Sequence, residues 1–287
     1  MKHHLNVAIV QFAMSSTMQD NINLAKSLVI DAAKNGARLV LLPELFATPY
    51  FCKTQKSEYL SLAHEAKNNP ILKVFSDIAK QYAVVFAPSV FFERAGQCYF
   101  NSLAMIDADG SILDVYRKSH IPDGHGYQEK FYFSPGDTGF KVWKTQVGQV
   151  GTAICWDQWF PEAARVMTLM GADILCYPTA IGSEPQDPSI DSKNHWQMVM
   201  RGHAAANIIP VMASNRIGRE CDDGVCITFY GSSFVSDHQG KKIIESSRDS
   251  QSVDHAVLDI DTIRDYRRSW GIFRDRRPDL YQRVGML

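Results

Sequence analysis

The sequence predicts an α/β fold, organised as one domain of two packed βα halves. Strand and helix signals alternate along the chain, and several strands read as unbroken apolar runs of the kind buried on both faces. At 287 residues the length allows one large domain or two ordinary ones. No Ser/Gly linker or low-complexity tract divides the chain, so a single domain over 1–287 is the economical reading.

The first strand is LNVAIVQF, followed by an amphipathic helix from 17 to about 35 that Gly36 closes. ARLVLLPE is a second strand, apolar throughout. Helical stretches near 56–66 and 70–81 lead into AVVFAPSVFF, and ERAGQ turns that strand back into YFNSLAMI as a hairpin. The turn DADG then feeds SILDVYRK. Residues 119–139, rich in Gly, Pro, Asp and His, form a long loop, and loops of that length in compact domains are usually functional. The second half repeats the theme with a strand around 147–155, a helix from 160, the strand ADILCYP, a helix from about 190 to 207, IIPVMAS, and further strands to 260. Pro161 suits the first turn of its helix and Gly171 the end.

Composition excludes several function classes. A hydrophobic content of 45% with 21% charged residues belongs to a globular chain with a large core. The formal net charge of -1 gives no global electrostatic reason to expect nucleic acid or an anionic membrane. No apolar run approaches the roughly 20 residues of a membrane span. The opening MKHHLNVAIVQF enters a strand without a signal-peptide core, so a cytoplasmic location is expected. In a reducing compartment the cysteines Cys52, Cys98, Cys155, Cys176, Cys221 and Cys226 read as small buried hydrophobes, apart from any reactive one. Cys221 and Cys226 lie close together, but no histidine or second cysteine pair completes a zinc set, and no metal is expected. No cofactor is expected either: no GxGxxG follows a strand, and there is no P-loop.

Three reactive side chains stand at strand ends. LVLLPEL places Glu44 beyond an apolar strand stopped by proline, ILDVYRKSHIP places Lys118 at the end of another, and Cys155 closes GTAIC. Taken alone, Glu44 reads as half of a surface ion pair, Lys118 as solvated surface and Cys155 as packing. Jointly, a carboxylate, an ammonium and a thiol are the parts of covalent acyl transfer. A thiol needs a base or a positive field to become a thiolate, and the developing oxyanion needs preorganised donors. Ligands in open α/β sheets collect outside the carboxyl ends of strands, so the three converge if their strands are neighbours.

The segments LLPELF, YRKSHIP and ICWDQWFPEAAR, in that order and spacing, resemble the nitrilase (carbon–nitrogen hydrolase) superfamily, and the likeness runs from VAIVQF to FRDRRPDLY. The resemblance implies a four-layer α-β-β-α sandwich, a Glu-Lys-Cys triad, and pairing of two subunits. By motif position it makes Glu44 the base, Lys118 the oxyanion stabiliser and Cys155 the nucleophile. Glu129, in YQEKFYF, matches a further family glutamate that orients the lysine and substrate. PDGHGYQEKFYFSPGDTGFKVW, CWDQWFPE and RGHAAANIIPV are most similar to the branch of the family that acts on N-carbamoylputrescine. They imply a carbamoylated amine as the small-molecule partner and polyamine biosynthesis as the setting. Another N-carbamoyl amine, N-carbamoyl amino-acid or ω-amide hydrolase is the alternative within enzymes, and a silent interaction protein on the same fold the alternative outside them.

Other residues are weighed on this expectation. The Trp156 backbone N–H can join the oxyanion hole, or its indole simply packs. Tyr50, His125, Trp159 and Thr179 are candidates for the pocket wall. A carbamoylated diamine carries a far ammonium, for which Asp123 and Glu184 are the candidate carboxylates. An N-carbamoyl amino acid would need a cation there, and only Lys130 is at hand. His195 and His203 read as structural, and His120 as a support for Lys118. The run RDYRRSWGIFRDRRPDLYQR holds seven arginines interleaved with Asp265, Asp275 and Asp279, which suits ion pairs at a subunit interface better than nucleic acid. Residues 261–287 are therefore expected to be an interface tail of a homodimer or larger homo-oligomer.

Overall fold

The alternating side-chain directions along strand β1 (His4–Gln11) set the layering. Val7 and Ile9 point into an apolar core shared with the second half of the chain, whereas Ala8 and Val10 point into one closed by helices. The computed structural model describes residues 3–286. The first half contributes α1 (Met18–Lys34), β2 (Leu39–Leu41), α2 (Pro70–Tyr82), β3 (Val85–Ala95), β4 (Cys98–Ile106) and β5 (Ile112–Arg117). The second contributes β6 (Lys141–Thr145), β7 (Gly148–Thr152), α3 (Pro161–Leu169), β8 (Ile174–Pro178), α4 (Lys193–Asn207) and β9 (Val211–Ser214). A two-stranded ribbon follows, β10 (Ile217–Asp222) and β11 (Val225–Tyr230), then β12 (Phe234–Ser236), β13 (Lys242–Glu245), β14 (Ser252–Asp259) and α5 (Ile260–Trp270).

Two six-stranded mixed sheets result, ordered β14-β1-β2-β3-β4-β5 and β13-β12-β9-β8-β7-β6. Their inner faces meet where β1 and β2 contact β9 and β3 contacts β7 and β8. Helices α1 and α2 cover one outer face, and α3 and α4 the other. This is the α-β-β-α sandwich. Strand β14 returns from the second half to pair antiparallel with β1, which stitches the two halves into one unit. Helix boundaries follow local chemistry. Thr17 caps α1 by accepting from the Asp20 N–H, Asn69 caps α2, and Pro161 occupies the first turn of α3.

Four expectations need correction. The stretch 56–66 is not an α-helix but 3-10 turns at Ser57–Leu62 and Ala66–Asn68; none of their residues is fully buried, so no core face supports a longer helix. Strand β6 goes unread because its hairpin turn, Gln146-Val147, lacks the Asn-Gly or Asp-Gly chemistry that marks such turns. The arginine-rich segment begins as helix α5, which buries only Ile260 and Ile263 and is otherwise too polar to stand out as a core-facing helix. The cysteines divide: Cys52, Cys155 and Cys176 are buried, Cys98 is exposed, and Cys221 is disulfide-bonded to Cys226. The last pair sits in register across the β10–β11 ribbon, closed by Asp223-Gly224 with both residues at positive φ. The Asp223-Gly224 dipeptide has the chemistry of such a hairpin turn.

The loop 119–139 contains one 3-10 turn, Glu129–Phe131, and is anchored at its far end by Gly136. The Gly136 N–H donates to the Lys118 carbonyl at 2.8 Å. A Cβ at Gly136 would stand 2.0 Å from the Arg117 carbonyl oxygen, so only glycine fits. Gly136→Ala is expected to destabilise the protein by about 3 kcal/mol, the upper end for overpacking. Urea unfolding measures it; an unchanged midpoint would show that the loop is not clamped there.

Candidate active site

The three strand ends do converge, but not as neighbours in one sheet. Glu44 follows β2 and Lys118 follows β5, two strands separated by β3 and β4, and Cys155 follows β7 in the opposite sheet. The site forms at one end of the sandwich, where loops from both sheets meet.

Lys118 is fully buried, and its Nζ donates to Glu44 Oε1 at 2.9 Å and to Glu129 Oε2 at 2.7 Å. Both carboxylates are buried too. Glu129 Oε1 accepts from the Tyr50 hydroxyl at 2.8 Å, and Glu44 Oε1 accepts from Asn101 Nδ2 at 2.7 Å. Glu44 Oε2 has no hydrogen-bond partner among the described residues. Burial pushes Glu129 up to about 7; Lys118 opposes this and Glu44 adds to it. Burial also works against the Lys118 ammonium, but the two carboxylates outweigh it and hold the group well above the ordinary lysine range. Lys118 and Glu129 therefore do not titrate independently of each other.

Cys155 begins a 3-10 turn, Cys155–Trp159, with φ +41° in the left-handed region. A non-glycine residue held there marks a sharp, over-determined turn. Burial drives the Cys155 thiol well above its usual range, Glu44 adds to that, and Lys118 pulls the other way. At rest the thiol is neutral. Its sulfur lies 3.9 Å from the Ala180 carbonyl oxygen.

A cavity of about 360 Å³ opens over Cys155. Of the expected wall residues, Tyr50, Asp123, His125, Trp156, Trp159 and Glu184 line it. His195 lines it as well, packed beside Trp159 with ring centres 4.9 Å apart, so it is not merely structural. Thr179 does not line it. The Thr179 side chain is buried against Gln158 and the Tyr177 carbonyl, and its own carbonyl accepts from the Glu44 N–H at 3.3 Å. It braces the glutamate from behind. Glu184 is half-buried, and burial raises its carboxyl; Gln186 donates to it at 3.2 Å. Asp123 is exposed. Lys130 is exposed and is not among the residues of the cavity wall, whose basic side chains are His125 and His195.

Sequence reasoning missed several supports. Asn101 holds Glu44 from the middle of the hairpin. Arg216, fully buried, donates to the Glu44 carbonyl at 2.7 Å, to the Leu45 carbonyl at 3.0 Å and to Glu220 at 2.8 Å. Glu220 in turn accepts from the Tyr50 N–H at 2.6 Å. The Phe229 and Tyr50 rings flank that guanidinium. No local motif announces a side chain that acts across such sequence distances. His203 is structural as expected, with Nε2 2.7 Å from the Gln158 carbonyl. In the C-terminal segment the interleaved acids pair with arginines of the same chain: Arg268 with Asp265, Arg274 with Asp275 and Arg277 with Asp279. Arg264 reaches further, to Asp173 at 2.6 Å.

Comparison with known proteins bears on this geometry. The family described as carbon–nitrogen hydrolase matches residues 6–268. The citrullinase of Francisella tularensis is 54% identical over 98% of this chain and 98% of its own length. The N-carbamoylputrescine amidase of Arabidopsis thaliana is 52% identical over 96% of this chain and 93% of its own. Among solved structures, a carbon–nitrogen hydrolase from Helicobacter pylori superposes with a TM-score of 0.92 at 39% identity, covering 98% of each chain.

The buried ion cluster makes a stability prediction. Lys118→Met leaves two buried carboxylates without their cation, which is expected to lower the unfolding free energy by about 3–5 kcal/mol at alkaline pH. Glu129, raised to about 7 by burial, binds its proton more tightly folded than unfolded, so the deficit shrinks as pH falls below that value. Urea titrations at mildly acid and alkaline pH check this. A deficit that is absent, or equal at both, would contradict it.

Proposed function

The chain belongs to the carbon–nitrogen hydrolase family, and on that footing we propose that it hydrolyses N-carbamoylputrescine to putrescine, ammonia and carbon dioxide through a covalent Cys155 intermediate. The observation that carries the substrate is the charge of the cavity. Its wall presents Asp123 and Glu184 and, among the described residues, contains no lysine or arginine. A carbamoylated diamine brings a far ammonium that a half-buried carboxylate can receive. Citrulline brings an α-carboxylate as well, which would have to rely on a histidine.

In this reading the neutral thiol gives its proton to Glu44 as sulfur attacks the carbamoyl carbon. A neutral thiol is a poor nucleophile for a urea-like carbonyl, so base and attack must act together. Negative charge then builds on the carbonyl oxygen, where the Lys118 ammonium and the Trp156 backbone N–H are the donors. Glu44 returns the proton to the departing nitrogen as the C–N bond breaks. It next takes a proton from water, which attacks the thioester-like carbon and releases the thiol. The resulting carbamate loses carbon dioxide. Either ureido nitrogen can leave first, and both orders give the same products. Glu129 holds Lys118 in place and is itself oriented by Tyr50. One water is consumed, and no redox change occurs.

Ammonia release from N-carbamoylputrescine is the direct test. Wild-type protein should turn it over with kcat/KM well above that for citrulline, and Cys155→Ala should be inactive while melting near the wild-type temperature. Glu184→Gln should raise KM for N-carbamoylputrescine on the order of tenfold to a hundredfold, the size of a charge-assisted hydrogen bond. It should barely change KM for an uncharged N-carbamoyl alkylamine. A preference for citrulline, or equal effects of Glu184→Gln on both carbamoyl compounds, would sink the diamine reading.

A further inference from the structure

Asp157, two residues beyond Cys155, is fully buried and saturated with donors. Its Oδ1 accepts from the His120 backbone N–H at 2.9 Å and from His120 Nδ1 at 2.7 Å. Its Oδ2 accepts from the Tyr116 hydroxyl at 2.7 Å and from the Ile154 N–H at 3.0 Å. Because a carboxylate only accepts, the His120 ring carries its proton on Nδ1. Tyr116 and His120 flank Lys118 by two residues on either side, and Ile154 immediately precedes Cys155. One carboxylate therefore ties the segment that carries the ammonium to the turn that carries the thiol, across the gap between the two sheets.

The surroundings make this tie rigid. The His120 ring stacks on Phe160 with centres 3.6 Å apart and planes 9° from parallel. The Asp157 N–H donates back to the Ile154 carbonyl at 3.0 Å, closing the turn on itself. Tyr116 also shares its hydroxyl with Ser119 Oγ at 3.0 Å. We infer that Asp157 is a positioning residue, which fixes where the Lys118 ammonium stands relative to the Cys155 sulfur and to the oxygen that becomes negative. The inference rests on the reading of Cys155 as nucleophile and Lys118 as its electrostatic partner.

Asparagine is the same shape but offers one accepting oxygen, so two of the four donors would face an N–H₂ group. Asp157→Asn is expected to lower kcat for N-carbamoylputrescine about a hundredfold, the scale of a misplacement near 1 Å, with KM almost unchanged. The rate at which iodoacetamide alkylates Cys155, followed by mass spectrometry at one alkaline pH, should fall with it, because the thiolate loses its nearby cation. Tyr116→Phe removes one donor and should give a smaller loss in the same two quantities. This milder variant keeps the idea testable if Asp157→Asn fails to fold. Wild-type kcat and alkylation rate in folded Tyr116→Phe or Asp157→Asn, with only the melting temperature reduced, would overturn the inference and leave a structural role alone. A raised KM at unchanged kcat would overturn it as well. Activity surviving in Cys155→Ala would instead overturn the catalytic reading beneath it.

Discussion

An ammonium buried between two buried carboxylates is the constraint on which the rest of this site depends. Desolvating three charged groups is expensive unless each finds partners, and breaking such a set leaves an uncompensated charge inside the protein. The fold supplies those partners from far apart in the chain. Tyr50 satisfies Glu129, Asn101 satisfies one oxygen of Glu44, and Gly136 permits the close approach that fixes the Lys118 backbone. The exception is Glu44 Oε2, buried and without a partner among the described residues. In the proposed mechanism that open oxygen is the one that takes the Cys155 proton.

The sandwich makes this arrangement stiff. The glutamate and lysine ride on one sheet and the cysteine on the other, so their separation is set by how the two sheets pack rather than by one loop. The Glu44 turn, with Leu45 at positive φ, is held by the Arg216 guanidinium and by the Thr179 carbonyl. Arg216 continues through Glu220 to the Tyr50 backbone, which links the support of Glu44 to that of Glu129. Catalysis by preorganised charge asks for this kind of rigidity, since donors that must reorient lose their advantage over water.

Much of this was legible in the sequence. Apolar runs that stop at a proline or a turn located the strands behind Glu44, Lys118 and Cys155, and the segments around them were enough to suggest the family and its sandwich. The convergence itself was less legible. Strand order is a long-range property, and nothing local says that β2 and β5 lie in one sheet and β7 in the other. Thr179 is a wall candidate in the sequence, yet its side chain faces away from the cavity and its backbone carbonyl braces Glu44. His195 was read as structure because it sits on a helix, and the helix turns that face to the cavity. Asn101 and Arg216 act on residues 57 and 172 positions away, beyond the reach of any periodicity or motif.

The pH dependence of kcat/KM for N-carbamoylputrescine tests the ion cluster most directly. With Glu129 pushed up to about 7 and Lys118 held well above the ordinary lysine range, the profile should rise along an acid limb near neutrality. It should then stay level into the alkaline range until another group intervenes. Glu129→Gln removes the carboxyl that titrates near neutrality, so whatever activity that variant keeps should no longer show that acid limb. An acid limb at the ordinary carboxylate pKa in the wild type, or one near neutrality that persists in Glu129→Gln, would contradict a coupled, buried cluster as the source of the chemistry.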